Sequence, residues 1–172
     1  MSKLPVPDLI VNDIYELTPE RLRDLGVTLL LLDLDNTLAP YTVMQPSVRL
    51  RNWTDALRHA GIEPFIFSNS HGVRAEAFSK AMSVDFVAKA KKPHTRFLRE
   101  VLEKKGVAPE HAALVGDQVY TDVWCARRAG ILAVAVEPID LTNPIYRARY
   151  WAEFPFRGAY RRNIERQRRL KS

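Results

Sequence analysis

The chain has 172 residues, 47% of them hydrophobic, which suits one globular domain and excludes a disordered chain. No run approaches the ~18 apolar residues of a membrane span, the opening MSKLPVPDLI lacks the apolar stretch of a signal peptide, and the single cysteine, Cys125, excludes an internal disulfide, so a cytoplasmic location is expected. The net charge of +6 is concentrated at one end, where residues 146–172 hold nine Arg or Lys against two Glu and leave the rest of the chain close to neutral.

The first clear element is a strand over 27–32, apolar but for Thr28 after Gly26, which predicts a central position in a sheet. It ends in two acids, Asp33 and Asp35. Residues 46–60 read as a helix stopped by Gly61, with Trp53, Ala56, Leu57 and Ala60 on its inner face. A strand over 62–67 stops at Ser68-Asn69-Ser70, and a helix over 73–82 leads to a short strand at 84–88. Leu98, Val101 and Leu102 place a helix over 95–105, closed by Gly106. A strand over 112–115 runs into Gly116-Asp117, a helix over 121–129 is closed by Gly130, and a last strand spans 131–136. Strands alternating with helices predict a Rossmann-like α/β fold, a parallel sheet flanked by helices. PIDLTNP, 138–144, marks a boundary, dividing the chain into a domain over 1–144 and a basic, aromatic-rich extension over 145–172.

In parallel sheets ligands bind beyond the carboxyl ends of the strands, and the polar clusters of this chain fall there. Singly, each cluster is ordinary turn or capping chemistry. Together they make a set for phosphoryl transfer. Asp33 and Asp35, two apart on an extended segment, face the same side. One carboxylate can attack phosphorus while its neighbour serves as general acid and base. Asp117 adds a third acid, and such oxygens with water suit Mg²⁺, which would offset the repulsion between them. Ser68 can hydrogen-bond a phosphoryl oxygen, and Lys92 can balance the charge of the transferring group. No GxxxxGK[ST] or GxGxxG occurs, so nucleotide-loop chemistry has no support. A receiver domain would carry its paired acids side by side on another strand end. Cys125 reads as packing, and the four histidines show no metal-ligand spacing.

With DLDNTL at 33–38, SNS at 68–70, KKP at 91–93 and GDQVYTDV at 116–123, the sequence resembles the haloacid dehalogenase (HAD) superfamily of phosphatases. Within it the chain is similar to subfamily IIIA, and to the YqeG-type bacterial proteins related to phosphatidylglycerophosphate phosphatase; the lead-in IYELTPERLRDLGV, 14–27, shares that likeness. The resemblance implies that Asp33 is the nucleophile and Asp35 the acid/base. It implies that Thr37 supports the turn, that Ser68 and Asn69 bind phosphate and that Lys92 orients it. It gives Mg²⁺ to Asp33, Asp117 and the backbone carbonyl of Asp35, with Asp122 in support. Ser70 departs from the Asn of the pattern.

Only 32 residues separate Asp35 from Ser68 and 23 separate Ser68 from Lys92, each interval filled by the elements above. No cap domain fits, so an open site is expected, suited to a phosphate on a large or lipid-linked molecule. The expected substrate is phosphatidylglycerophosphate; the alternatives are a nucleotide, sugar phosphate or phosphoprotein, and a non-enzymatic RNA-binding scaffold that the full catalytic set disfavours. The tail alternates Tyr146, Tyr150, Trp151, Phe154, Phe156 and Tyr160 with arginines. It fits peripheral contact with the anionic inner face of a membrane, packing of the aromatics on the domain followed by a solvated basic helix, or, less well, nucleic acid.

Overall fold

The computed structural model describes residues 4–171, with side chains for residues 4–160. Six strands form one parallel sheet: β1 (Leu9–Val11), β2 (Leu29–Leu32), β3 (Glu63–Phe67), β4 (Asp85–Val87), β5 (Ala112–Gly116) and β6 (Leu132–Val136), in the spatial order β1-β6-β5-β2-β3-β4. Around it lie α1 (Pro19–Asp24), α2 (Val48–His59), α3 (Gly72–Met82), α4 (Arg96–Lys105), α5 (Trp124–Ala129) and α6 (Pro144–Lys171). The Rossmann-like sheet predicted from the alternation is present. β1 was not anticipated, because three residues carry too little periodicity; its register against β6 pairs Leu9 with Val134 and Val11 with Val136.

Successive side chains of β2 enter opposite faces of the sheet, which is why the strand is apolar throughout. Leu30 and Leu32 join Leu50, Trp53 and Leu57 of α2 and Phe78 and Met82 of α3. Leu29 and Leu31 join Leu98, Val101 and Leu102 of α4 and Val123 and Ala126 near α5. All four side chains of β2 are thereby withdrawn from water, and the strand ends are held in register.

Two local expectations are corrected. The inner face of α2 is Leu50, Trp53, Thr54 and Leu57, while Ala56 is exposed. Thr54 can lie inside because its hydroxyl donates to the Arg51 carbonyl at 2.9 Å. The helix expected over 121–129 begins as a π-helical turn, Val119–Val123, before α5 proper. Caps agree with local chemistry: the Ser47 hydroxyl accepts from Leu50 N–H, and Gly106 and Gly130 close α4 and α5 with positive φ.

β2 is the switch point of the winding. The chain steps outward through β3 and β4, then crosses to β5 on the other side of β2. A crevice opens beyond the carboxyl ends of strands at such a point. Asp33 follows β2, Ser68 follows β3 and Asp117 follows β5. α2 and β3 fill the interval between Asp35 and Ser68, and α3 and β4 the interval up to Lys92, so no cap stands over the crevice.

Candidate active site

Asp33 begins where β2 ends, its amide donating to the Val115 carbonyl of β5 at 2.9 Å. Asn36 takes a left-handed conformation (φ 62°) and turns the chain back, its amide nitrogen donating to Ala39 O at 2.9 Å. Its side chain reaches across to residue 140, donating to the Asp140 carbonyl at 2.8 Å and accepting from the Asp140 amide at 2.7 Å. The turn is therefore anchored to the segment after β6.

Lys92 lies buried at the centre. Its Nζ is 2.6 Å from Asp33 Oδ1 and 2.6 Å from Asp122 Oδ1, and it donates to the Phe67 carbonyl at 2.9 Å. Burial alone would lower its pKa; the Asp122 and Asp33 carboxylates outweigh burial and hold it firmly protonated. Asn69 fixes this lysine by pairing with its backbone on both sides: its Nδ2 donates to Lys92 O at 3.1 Å and its Oδ1 accepts from Lys92 N at 2.8 Å. Both polar atoms of the Asn69 side chain are thus given to the lysine segment. Ser68 Oγ, fully buried, accepts from the Ser70 amide at 3.2 Å and donates to Ser70 Oγ at 3.1 Å, so the serine at position 70 keeps a hydroxyl beside the strand end.

Asp33, Asp117 and Asp122 each bring a carboxylate oxygen within 4.8 Å of the others, and all three residues are buried. Thr37 bridges two of them, 3.4 Å from Asp33 Oδ2 and 3.4 Å from Asp117 Oδ1, while accepting from the Asp117 amide at 3.0 Å. Burial, aided by Asp33 and Asp122, raises the Asp117 carboxyl well above the usual range. Asp122 is pushed up to about 6 by burial against the opposing pull of Lys92. Three buried acids against one lysine is a donor set that a hard divalent cation fits. Asp122 gives its two oxygens to Lys92 (2.6 Å) and to the Gln118 amide (3.1 Å), whereas Asp33 Oδ2 and Asp117 Oδ1 meet the Thr37 hydroxyl at the longer distance of 3.4 Å. Gly116 is required beneath it: a Cβ there would lie 2.2 Å from Asp122 Cγ.

The side chain of Asp35 is outside this cluster. It pairs with Arg74 of α3, whose Nε donates to Val43 O at 2.8 Å and whose Nη2 donates to Pro40 O at 2.7 Å. Any metal role for Asp35 would run through its backbone carbonyl, and its side chain is held at the wall of the cleft. That cleft, about 490 Å³, is lined by Asp33, Asp35, Ser68, Lys92, Tyr41 and Arg149 among others.

Part of that wall was not foreseen. Tyr146 of α6 stacks on Tyr41 with ring centroids 4.5 Å apart. Glu153 Oε1 accepts from the Tyr120 amide at 3.3 Å, and Arg157 Nη2 donates to the carbonyl of Asp117 at 2.7 Å. Tyr146, Tyr150, Glu153 and Arg157 recur at helical spacing, and that periodicity was the available signal. Cys125 is buried, its Sγ 3.5 Å from His94 O and its thiol pushed up to about 12 by burial, in keeping with a packing role.

The HAD-hydrolase-like family model matches residues 89–138, the stretch from the lysine loop through the Asp117 motif to the end of β6. The Bacillus subtilis protein named Probable phosphatase YqeG is 31% identical over 139 residues, covering 81% of both chains. This chain belongs to the YqeG family of HAD-like phosphatases. Phosphatidylglycerophosphate phosphatase 1, chloroplastic, of Chlamydomonas reinhardtii is 27% identical over 151 residues, 83% of this chain and 56% of that longer protein. Among solved structures, the cobalt-bound deoxy-D-mannose-octulosonate 8-phosphate phosphatase of Haemophilus influenzae superposes with a TM-score of 0.54 at 18% identity, covering 71% of this chain and 73% of the other. That likeness is one of fold.

Proposed function

We propose that this phosphatase hydrolyses phosphatidylglycerophosphate to phosphatidylglycerol through an aspartyl-phosphate on Asp33, with Mg²⁺ as cofactor. The observation that carries the chemistry is the placement of Asp33 at the base of an uncapped cleft, between the Lys92 ammonium and the Asp117 carboxylate. Lys92 fixes the Asp33 carboxylate through Oδ1 at 2.6 Å, and its ammonium also faces the charge on the transferring group. Ser68 offers its hydroxyl to a phosphoryl oxygen. Asp35, at the cleft wall, protonates the leaving alkoxide in the first half-reaction. In the second it accepts a proton from the water that attacks the phospho-aspartate, releasing phosphate and restoring the Asp33 carboxylate. Asp33, Asp117 and the backbone carbonyl of Asp35 would hold Mg²⁺, which when bound supplies positive charge to the phosphoryl oxygens. Thr37 supports the loop between Asp33 and Asp117, Asp122 braces Lys92, and Asn69 aligns it.

Three observations support the lipid. The cleft is uncapped, the Chlamydomonas relative bears that activity in its name, and α6 presents exposed Trp151 and Phe154 (63% and 52%) beside a basic chain end. Among the described residues no helix is long and apolar enough to cross a membrane. We infer contact with the surface of an anionic inner leaflet instead, through aromatics at headgroup depth and cations above it. The side chains of the last basic segment, from residue 161, lie outside the described residues. The test is kcat/KM on phosphatidylglycerophosphate in mixed micelles against a panel of nucleotides, sugar phosphates and phosphopeptides. The lipid is expected to be preferred; a clear preference for any of the others would overturn the lipid assignment while leaving the aspartyl-phosphate chemistry in place.

A further inference from the structure

Among the described residues two cations line the cleft, and the catalytic chemistry uses one of them. Lys92 is flanked by Asp33 and Asp122 and is committed to the transferring phosphoryl group. The second cation is Arg149 of α6. Its Nη1 donates to the neutral amide oxygen of Gln118 at 2.9 Å, and among the described residues its guanidinium makes no ion pair. Glu153, one turn further along the helix, senses the Arg149 charge, but its carboxylate is turned to the Tyr120 amide.

Arg149 is held in place by its helix. One turn before it, Tyr146 stacks on Tyr41 of the loop that follows Asp35. One turn after it, Glu153 holds the Tyr120 amide, and the Tyr120 hydroxyl donates to Ala152 O at 3.2 Å. The helix is thereby pinned to both sides of the cleft, and Gln118 aims the guanidinium along its rim. A cleft of about 490 Å³ has room for far more than one phosphoryl group. A guanidinium with no carboxylate partner, on a rigid element at the rim of a phosphate site, matches the oxygens of a second phosphate linkage.

We propose that Arg149 is a specificity-determining residue that binds a second anionic group of the substrate, a phosphodiester a few bonds from the phosphomonoester being hydrolysed. The inference deepens the phosphatase reading above and rests on it. It selects phosphomonoesters that carry a phosphodiester over those that carry neutral groups, independently of acyl chains.

The test compares two water-soluble esters on the full chain with Mg²⁺: glycerophosphoglycerophosphate, which has both linkages, and glycerol 3-phosphate, which has the monoester alone. Wild type is expected to prefer the first. In Arg149→Ala the ratio of the two kcat/KM values is expected to fall by about 10- to 100-fold, as for a lost charge-assisted contact, mainly through KM, with Arg149→Lys restoring part of it. Calorimetric binding of the same two esters to Asp33→Asn protein, with and without Arg149→Ala, reads the contrast without turnover. Equal effects of Arg149→Ala on both esters, or no preference in wild type, would overturn the proposal while leaving the phosphatase reading intact. Absence of turnover on every monoester would overturn the phosphatase reading, and the calorimetric contrast would still decide the role of Arg149.

Discussion

Arg157 Nη2 donates to the carbonyl of Asp117 at 2.7 Å from a helix that begins beyond the last strand. The same guanidinium reaches Val136 O at 3.3 Å and Glu137 Oε1 at 3.2 Å, so one buried side chain ties α6 to the ends of β5 and β6. Arg157→Ala removes the donor from the buried Asp117 and Val136 carbonyls and the cation from Glu137, at a cost of roughly 2–4 kcal/mol. Urea unfolding with and without Mg²⁺ should show that loss, together with a raised Mg²⁺ requirement for activity. A change below 0.5 kcal/mol, an ordinary surface effect, would contradict this role.

The same contacts separate two truncations. A chain ending at Tyr160 keeps Tyr146, Glu153 and Arg157 and is expected to fold and turn over a water-soluble ester. A chain ending at Asn143 loses all three and is expected to be unfolded or inactive by circular dichroism and assay. Full activity in the shorter chain would remove α6 from the site.

Gly116 admits no side chain, since a Cβ would meet Asp122 Cγ at 2.2 Å. Gly116→Ala must push Asp122 off Lys92 or distort the end of β5. A stability loss of about 1–3 kcal/mol is expected, as for other overpacked sites, with activity falling further than stability because Lys92 loses its second carboxylate.

In the proposed mechanism, Asp35→Asn removes the proton donor and acceptor while keeping the shape of the cleft wall. A fall in kcat of roughly 10²–10⁴-fold is expected. The loss should be smallest on esters whose leaving group needs no proton, such as 4-nitrophenyl phosphate. An equal loss on both ester types would argue against general acid catalysis by Asp35.

Membrane contact is read by sedimentation with vesicles. The full chain is expected to bind vesicles rich in anionic lipid in a salt-sensitive way, and the chain ending at Tyr160 to bind much less. Equal sedimentation of the two would take the basic segment out of the interaction.

What was legible in the sequence was local. The run Leu29–Leu32 announced a strand buried on both faces, Gly106 and Gly130 announced helix ends, and DLDNTL, SNS and KKP announced the strand-end cluster by residue type alone. The contribution of α6 was hidden because its inner stripe is polar: Glu153 and Arg157 are 1% and 3% exposed, yet hydropathy reads them as solvated. Apart from the Glu137 carboxylate, their hydrogen-bond partners are backbone groups of residues 117, 120 and 136, remote in sequence and without side-chain signature. The Asp35–Arg74 pair was hidden for the same reason, its partners lying 39 residues apart.

We propose that Asp33 carries the phosphoryl group. The direct measurement is rapid-quench mass spectrometry of the full chain with Mg²⁺ and a ³²P-labelled substrate, wild type beside folded Asp33→Asn. Acid-stable label on the peptide containing Asp33, released by hydroxylamine and absent from the variant along with turnover, is the predicted result. Normal turnover by Asp33→Asn, or label on another residue, would contradict it.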